Sequence, residues 1–169
     1  MAFIIENGVI TSFADYQSVF DRDQRLFDSN EGLTDDVIEP LLERATQRIL
    51  DQIRATAWWK TYWIRRSESV NINTSADIPR PEISKIIGRS ADFTDLCVYT
   101  ALAEYILPAV ADFGNEDNAE RLKMGYYEQK RSKLFMELIT AGDWYDFDGD
   151  GTIQSTEKDP GKVNLRRVR

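Results

Sequence analysis

The chain has 169 residues, of which 42% are hydrophobic and 30% charged, and its formal net charge is −8. This length suits one globular domain that folds without a disulfide or metal, and the composition argues against a wholly disordered chain. The single cysteine excludes an intrachain disulfide, and the lack of histidine excludes Ser-His-Asp and Cys-His catalysis and histidine-based zinc sites. No apolar run approaches the roughly 20 residues that span a bilayer, so we expect no membrane association. The first residues also lack the basic region of a secretory signal.

The N-terminal stretch predicts a small β-hairpin. Asn7-Gly8 lies between two runs of β-branched and aromatic residues, at 3–5 and 9–11. A tight hairpin turn favours this dipeptide because both of its central positions need positive φ. Ser12, with Asp15 three residues later, then predicts the capped start of a short helix that ends near Phe20.

A long amphipathic helix is predicted next, from about residue 34 to residue 64. Thr34 is the expected N-cap, and the acidic residues after it suit the positive end of the helix dipole. Pro40 is interpreted as a first-turn proline, where a missing N–H costs little. The apolar positions recur every three or four residues: Ile38, Leu42, Ala45, Ile49 and Ile53.

The end of this helix carries a cluster of large aromatic residues: Trp58, Trp59, Tyr62 and Trp63. Aromatic residues at helical spacing are typical of a core or a subunit interface, which we favour over a small-molecule cage.

Two further helices are predicted after a loop at residues 67–82. Ser90 is the expected cap of the first, Cys97 lies on its apolar face as a buried residue, and Pro108 should kink or end it near Leu107. The last helix runs from about 118 to 141 and ends at Gly142. Its expected apolar face comprises Leu122, Tyr126, Tyr127, Leu134, Leu138 and Ile139.

These elements predict a mainly α protein, a helical bundle with a small N-terminal β-hairpin and an extended C-terminal tail. We assign residues 1–142 to the bundle domain and residues 143–169 to an acidic loop followed by a basic docking tail.

The acidic loop matches the twelve-residue calcium-binding pattern. Oxygen-bearing residues fall on the ligand positions, and Gly151 occupies the position that requires a sharp turn. The candidate ligands are Asp146, Asp148, Asp150, Thr152 through its carbonyl, Gln154 through a water, and Glu157. Alternation of this kind suits calcium, which takes six to eight hard oxygen ligands.

The context of the loop argues against a calcium-triggered switch. Residues 142–145 separate it from the preceding helix, Pro160-Gly161 leave no room for an exit helix, and no second loop is present to pair with it. Two interpretations stay open at this point: a single structural calcium ion, or a solvated acidic turn rich in glycine.

The charge distribution is uneven along the chain. Residues 158–169 contain five basic residues and one acidic residue, a net +4, whereas the other 157 residues carry 16 basic and 28 acidic groups, a net −12. An acidic body with a short basic end is a poor binder of duplex DNA, since phosphate binding needs clustered cations.

Four segments together carry a resemblance to a known family. They are LTDDVIEPLL (33–42), ELITAGDWY (137–145), DFDGDG (146–151) and NLRRVR (164–169). Over residues 33–169 the chain resembles the head–tail adaptor, or connector, proteins of tailed bacteriophages.

This resemblance implies a structural protein without catalytic activity. Adaptors of this family are helical bundles that form a ring, usually of twelve copies, beneath the portal protein and above a downstream neck or tail protein. The expected location is the virion neck, with the host cytoplasm before assembly, and no sequence-specific contact with nucleic acid is implied. The segment implied to dock on the portal comprises Asn164, Leu165, Arg166, Arg167, Val168 and Arg169.

Other classes of function stay open beside the adaptor. One is a calcium-stabilised binding module, and another is a small enzyme, although the sequence contains no P-loop or dinucleotide-binding fingerprint. The resemblance gives no role to the N-terminal hairpin.

Overall fold

The chain begins with two antiparallel strands, β1 (Ile4–Glu6) and β2 (Val9–Ser12). They belong to a computed structural model that describes residues 4–6, 9–65, 74–112, 114 and 118–158. Glu6 pairs with Val9, Ile5 with Ile10 and Ile4 with Ser12, and the register shifts between Ile4 and Ile5. The predicted hairpin is therefore confirmed, although Asn7 and Gly8 lie outside the described residues.

Two short helices follow, α1 (Tyr16–Arg22) and α2 (Gln24–Ser29), of which the sequence predicted only the first. The prediction that Ser12 caps α1 is wrong. Ser12 ends β2 and is buried, and its Oγ donates to the carbonyl of Ala14 (2.8 Å). Asp15 is the N-cap instead, because its Oδ1 accepts the backbone N–H of Ser18 (2.9 Å).

The predicted long helix is two helices, α3 (Asp35–Ala55) and α4 (Ala57–Arg65). Thr34 is the N-cap residue of α3, as predicted, although its side chain makes no capping bond. Pro40 is the sixth helical residue, so its placement in the first turn is wrong. Thr56 separates the two helices and caps both of them at their junction. Its Oγ1 donates to the Ile53 carbonyl at the C-terminus of α3 (2.6 Å) and accepts the Trp59 N–H at the N-terminus of α4 (3.2 Å).

A helical stretch from Ser90 to Val110 forms the centre of the body. It comprises α5 (Ser90–Ala101), a π-helical segment (Leu102–Ile106) and α6 (Leu107–Val110). Arg89, in the left-handed region at φ 52°, occupies the N-cap position predicted for Ser90. The Leu107 N–H donates to the Leu102 carbonyl five residues back. This wider turn accommodates Pro108, whose ring would collide with the carbonyl four residues before it.

Among the helices in the described part of the chain, only Ser90–Val110 is long and apolar enough to cross a membrane. However, 61% of its most apolar window is buried within the protein. Both α3 and α7 (Ala119–Ala141) pack against α5. Cys97 on α5 is fully buried, as predicted, and burial raises the pKa of its thiol to about 11.

The termini of α7 agree with the sequence. Asn118 Oδ1 accepts the Arg121 N–H (3.0 Å) at the start, and Gly142 ends the helix at φ 59°. The predicted apolar face is wrong at Leu122 and Tyr126, which are exposed. Leu122 lies on the side of α7 away from Tyr127 and Leu138, whose side chains are buried.

Candidate functional site

A short paired segment, and not a helix, leads into the acidic loop. Tyr145 forms an antiparallel bridge with Ile86, and the Trp144 carbonyl accepts the N–H groups of Ile87 (3.0 Å) and Gly88 (3.2 Å). A Cβ atom on Gly88 would lie 2.6 Å from the Asp143 carbonyl oxygen, so only glycine allows this approach. The non-helical entry that the sequence predicted is therefore confirmed.

The aromatic cluster of α4 is the base on which the loop rests. Phe147, the second residue of the loop, stacks on Tyr62 with ring centroids 3.6 Å apart and lies 5.1 Å from both Trp58 and Trp59. Trp59 is fully buried, and its indole N–H donates to the Pro79 carbonyl (2.8 Å). The predicted core or interface position is confirmed as core for Trp59 and Tyr62, which are buried, whereas Trp58 and Trp63 are partly buried and pack against that core.

Tyr145 joins the loop to the segment before α5. Its ring lies 4.9 Å from that of Trp59, and its hydroxyl oxygen accepts the N–H of Glu82 (3.2 Å). Burial raises the pKa of the Tyr145 phenol to about 12.

Asp146 shapes the first half of the loop from inside. Its side chain is 3% exposed, and its two oxygens accept the N–H groups of Gly149 (2.7 Å) and Gly151 (2.8 Å). Both glycines have positive φ, 79° and 85°, a backbone conformation that residues with a Cβ atom disfavour. The glycine positions of the predicted pattern thus have a conformational cause.

Glu157 closes the loop from its other end. It is 1% exposed, and its Oε1 accepts the N–H groups of Phe147 (2.9 Å) and Asp148 (3.2 Å), while its Oε2 accepts the N–H of Gln154 (2.8 Å). This one carboxylate therefore joins the backbone near the start of the loop, at Phe147 and Asp148, to the backbone near its end, at Gln154.

The other candidate ligands lie on the exposed side. Asp150 Oδ1 accepts the hydroxyl (2.7 Å) and the N–H (2.8 Å) of Thr152, and the hydroxyl bond is the main reason that the pKa of Asp150 lies below its usual value. The Gln154 amide donates to Asp150 (3.1 Å) and, at 3.4 Å, to Asp148.

Three of the six predicted ligands come together. Carboxylate oxygens of Asp146, Asp148 and Glu157 lie within 4.8 Å of one another, and none of these groups forms an ion pair with a lysine or arginine in the described part of the chain. Carboxylate oxygens are ligands that calcium prefers, and each oxygen that accepts one N–H keeps capacity for a second partner. The same oxygens also satisfy the backbone of the loop, so the geometry suits a hard cation and a self-bonded turn alike.

The loop ends in a helical turn that the sequence does not predict. Helix α8 (Ser155–Lys158) forms one turn that ends at the residue before Asp159, so the expectation of no exit helix is wrong. The Lys158 carbonyl accepts the indole N–H of Trp58 (3.1 Å). It also packs so closely on Gly142 that a Cβ there would lie 2.2 Å from the Lys158 oxygen.

These anchoring roles of Trp58 and Gly142 are not evident from the sequence, in which Gly142 indicates only a helix stop. Arg89 is a further residue that the sequence pattern does not indicate: it forms an ion pair with Asp143 (Nη2 to Oδ2, 3.1 Å) and thereby lowers the pKa of that carboxyl. The predicted docking residues, 164–169, lie outside the described residues.

No family model, curated protein or solved structure matches the chain.

Proposed function

We propose that the protein is a head–tail adaptor of a tailed bacteriophage. In this role it forms a ring of twelve copies that lies beneath the portal, extends the DNA channel and joins a downstream neck or tail protein. It acts in the virion neck and resides in the host cytoplasm before assembly.

The observation that carries this proposal is the anchored origin of the C-terminal segment. Lys158 is bound by Trp58 and packed on Gly142, so the chain is held to the body at the residue that precedes the C-terminal segment. The eleven residues after it contain four cations and one anion. Arginine side chains form bidentate bonds with carboxylates, which suits docking on an acidic surface of a portal.

The charge of the body supports the same role. Outside residues 158–169 the chain carries a net −12. A wall of negative charge repels the DNA backbone, so DNA can pass through a channel of such subunits without adhering to it.

The proposal is tested by co-sedimentation with the portal ring encoded in the same phage genome. The full chain should sediment with the portal, whereas the chain shortened after residue 161 should not. A variant with Arg166→Glu and Arg167→Glu should behave like the shortened chain, and Lys133→Glu on α7 is the matched control that should still bind. Binding by the shortened chain at the affinity of the full chain would refute the docking role of the tail.

A calcium-stabilised binding module is the second candidate, and it rests on the grouping of Asp146, Asp148 and Glu157 within 4.8 Å. Binding to the native state alone would raise the melting temperature with calcium concentration. We expect millimolar calcium to raise it, a chelator to lower it, and Asp148→Ala to abolish the difference, with Glu137→Gln as the control. Identical melting curves with calcium and with chelator would reduce the loop to an acidic turn.

A further inference from the structure

The first half of α7 presents an apolar strip to solvent. Leu122 is 67% exposed and Tyr126 is 54% exposed, and Gly125 lies between them on the same face at helical spacing. Large apolar residues grouped on one exposed face are typical of a contact surface.

Gly125 makes no close packing contact with the rest of the described chain. A Cβ built on it would meet no atom within 4 Å, and its φ is not positive. Glycine weakens a helix interior relative to alanine, so its presence here has a cost without an internal gain. A glycine on an exposed helix face does allow another chain to approach closely, which gives the residue a function.

Positive charge borders this strip. Arg121 and Lys130 form no ion pair within the part of the chain that the structure describes. The Lys130 Nζ lies 5.5 Å from the centroid of the Tyr126 ring. The strip and its two cations, which we name the α7 surface, stand out in a chain of net charge −8.

The first two turns of α3 have the complementary character. Val37 is 46% exposed and Pro40 is exposed beside it, and the carboxylates of Asp35, Asp36 and Glu39 around them are also exposed. These carboxylates make no ion pair with any residue that the structure describes. We name this group the α3 surface.

Pro40 adds an acceptor to the α3 surface. Because proline has no N–H, it cannot donate to the carbonyl of Asp36 four residues earlier. The surface therefore offers a backbone carbonyl and three carboxylates around a small apolar centre, the opposite of what the α7 surface offers.

We propose that the α7 surface of one copy binds the α3 surface of a second copy. The apolar centres meet, and Arg121 and Lys130 face the carboxylates. The two surfaces lie on different helices, so each copy presents one surface of each kind. Such a heterologous contact closes into a ring when the rotation allows it. The proposal deepens the proposed adaptor function by naming the contact between its subunits.

The test is sedimentation equilibrium of the full chain from about 1 μM to about 1 mM, the range in which small interfaces associate. The mean mass should rise above the 19.5 kDa of one chain. Lys130→Glu and Glu39→Lys should each weaken association by roughly tenfold, because like charges then face each other, and the double variant should regain it. Arg25→Glu, on the exposed side of α2, is the control that should change little.

A second variant separates association from folding. Gly125→Gln should raise the melting temperature of the monomer, because glutamine is the better helix former, and should weaken association by blocking close approach. A mean mass of one chain at every concentration, or a double charge variant that does not recover, would overturn the proposed contact. Portal binding without self-association would leave the adaptor function intact, whereas self-association without portal binding would refute the adaptor function alone.

Discussion

Replacing Glu157 with glutamine tests whether one buried carboxylate holds the acidic loop closed. Its two oxygens accept three backbone N–H groups, from Phe147, Asp148 and Gln154. Glutamine has nearly the same shape but only one acceptor oxygen. Its NH2 group must therefore face at least one N–H that the carboxylate accepts in the native protein.

The expected loss follows from these contacts. A hydrogen bond to a charged acceptor contributes about 1.5–3 kcal/mol, and a buried N–H left without a partner costs about 1–3 kcal/mol. Glu157 is 1% exposed, so water cannot easily replace the lost acceptor. We expect Glu157→Gln to lower the free energy of unfolding by about 3–5 kcal/mol, out of about 5–15 kcal/mol for a typical domain.

Urea denaturation measures this loss, and hydrogen exchange should show it first at the amides of residues 147, 148 and 154. Glu137→Gln is the matched control, because Glu137 is exposed and its nearest lysine, Lys133, is 3.8 Å away. We expect the control to change stability by less than about 0.5 kcal/mol. A change of less than about 1 kcal/mol for Glu157→Gln would refute the closing role of the carboxylate.

Three further changes test the fold and the anchor. Ile53→Asp places a carboxylate at a buried position in the last turn of α3, and we expect loss of the folded far-ultraviolet spectrum, since the cost approaches the whole stability. A stable, folded variant would contradict the helix packing. Trp58→Phe keeps an aromatic ring but removes the N–H that donates to the Lys158 carbonyl, so it should lower the free energy of unfolding by about 0.5–1.5 kcal/mol. Amide hydrogen exchange at residues 155–158 should become faster, and unchanged exchange there would contradict the anchor. Tyr145 titrates near 10 in the unfolded chain and at about 12 when folded, so its contribution should be complete below pH 10 and fall as pH rises towards 12. Denaturation midpoints from pH 8 to 11 should therefore decline more steeply in the wild type than in Tyr145→Phe.

The sequence by itself determined where most elements lie. Local chemistry decides such features: Asn118 and Gly142 cap α7 through their own side-chain and backbone preferences. The glycines and carboxylates of the acidic loop are equally local, because Asp146 bonds to N–H groups three and five residues away. A pattern in the sequence is sufficient when the interacting groups are neighbours along the chain.

Only the tertiary structure decided which faces are covered and how the ends of elements are used. The spacing of apolar residues assigns Leu122 and Tyr127 to one apolar face of α7. In the structure α5 packs against only one side of that helix, so Tyr127 is buried and Leu122 remains exposed. Likewise the sequence marks Gly142 as a helix stop, and its second role exists because Lys158 folds back onto it. These outcomes depend on groups distant along the chain, whose approach is set by the packing of the whole core.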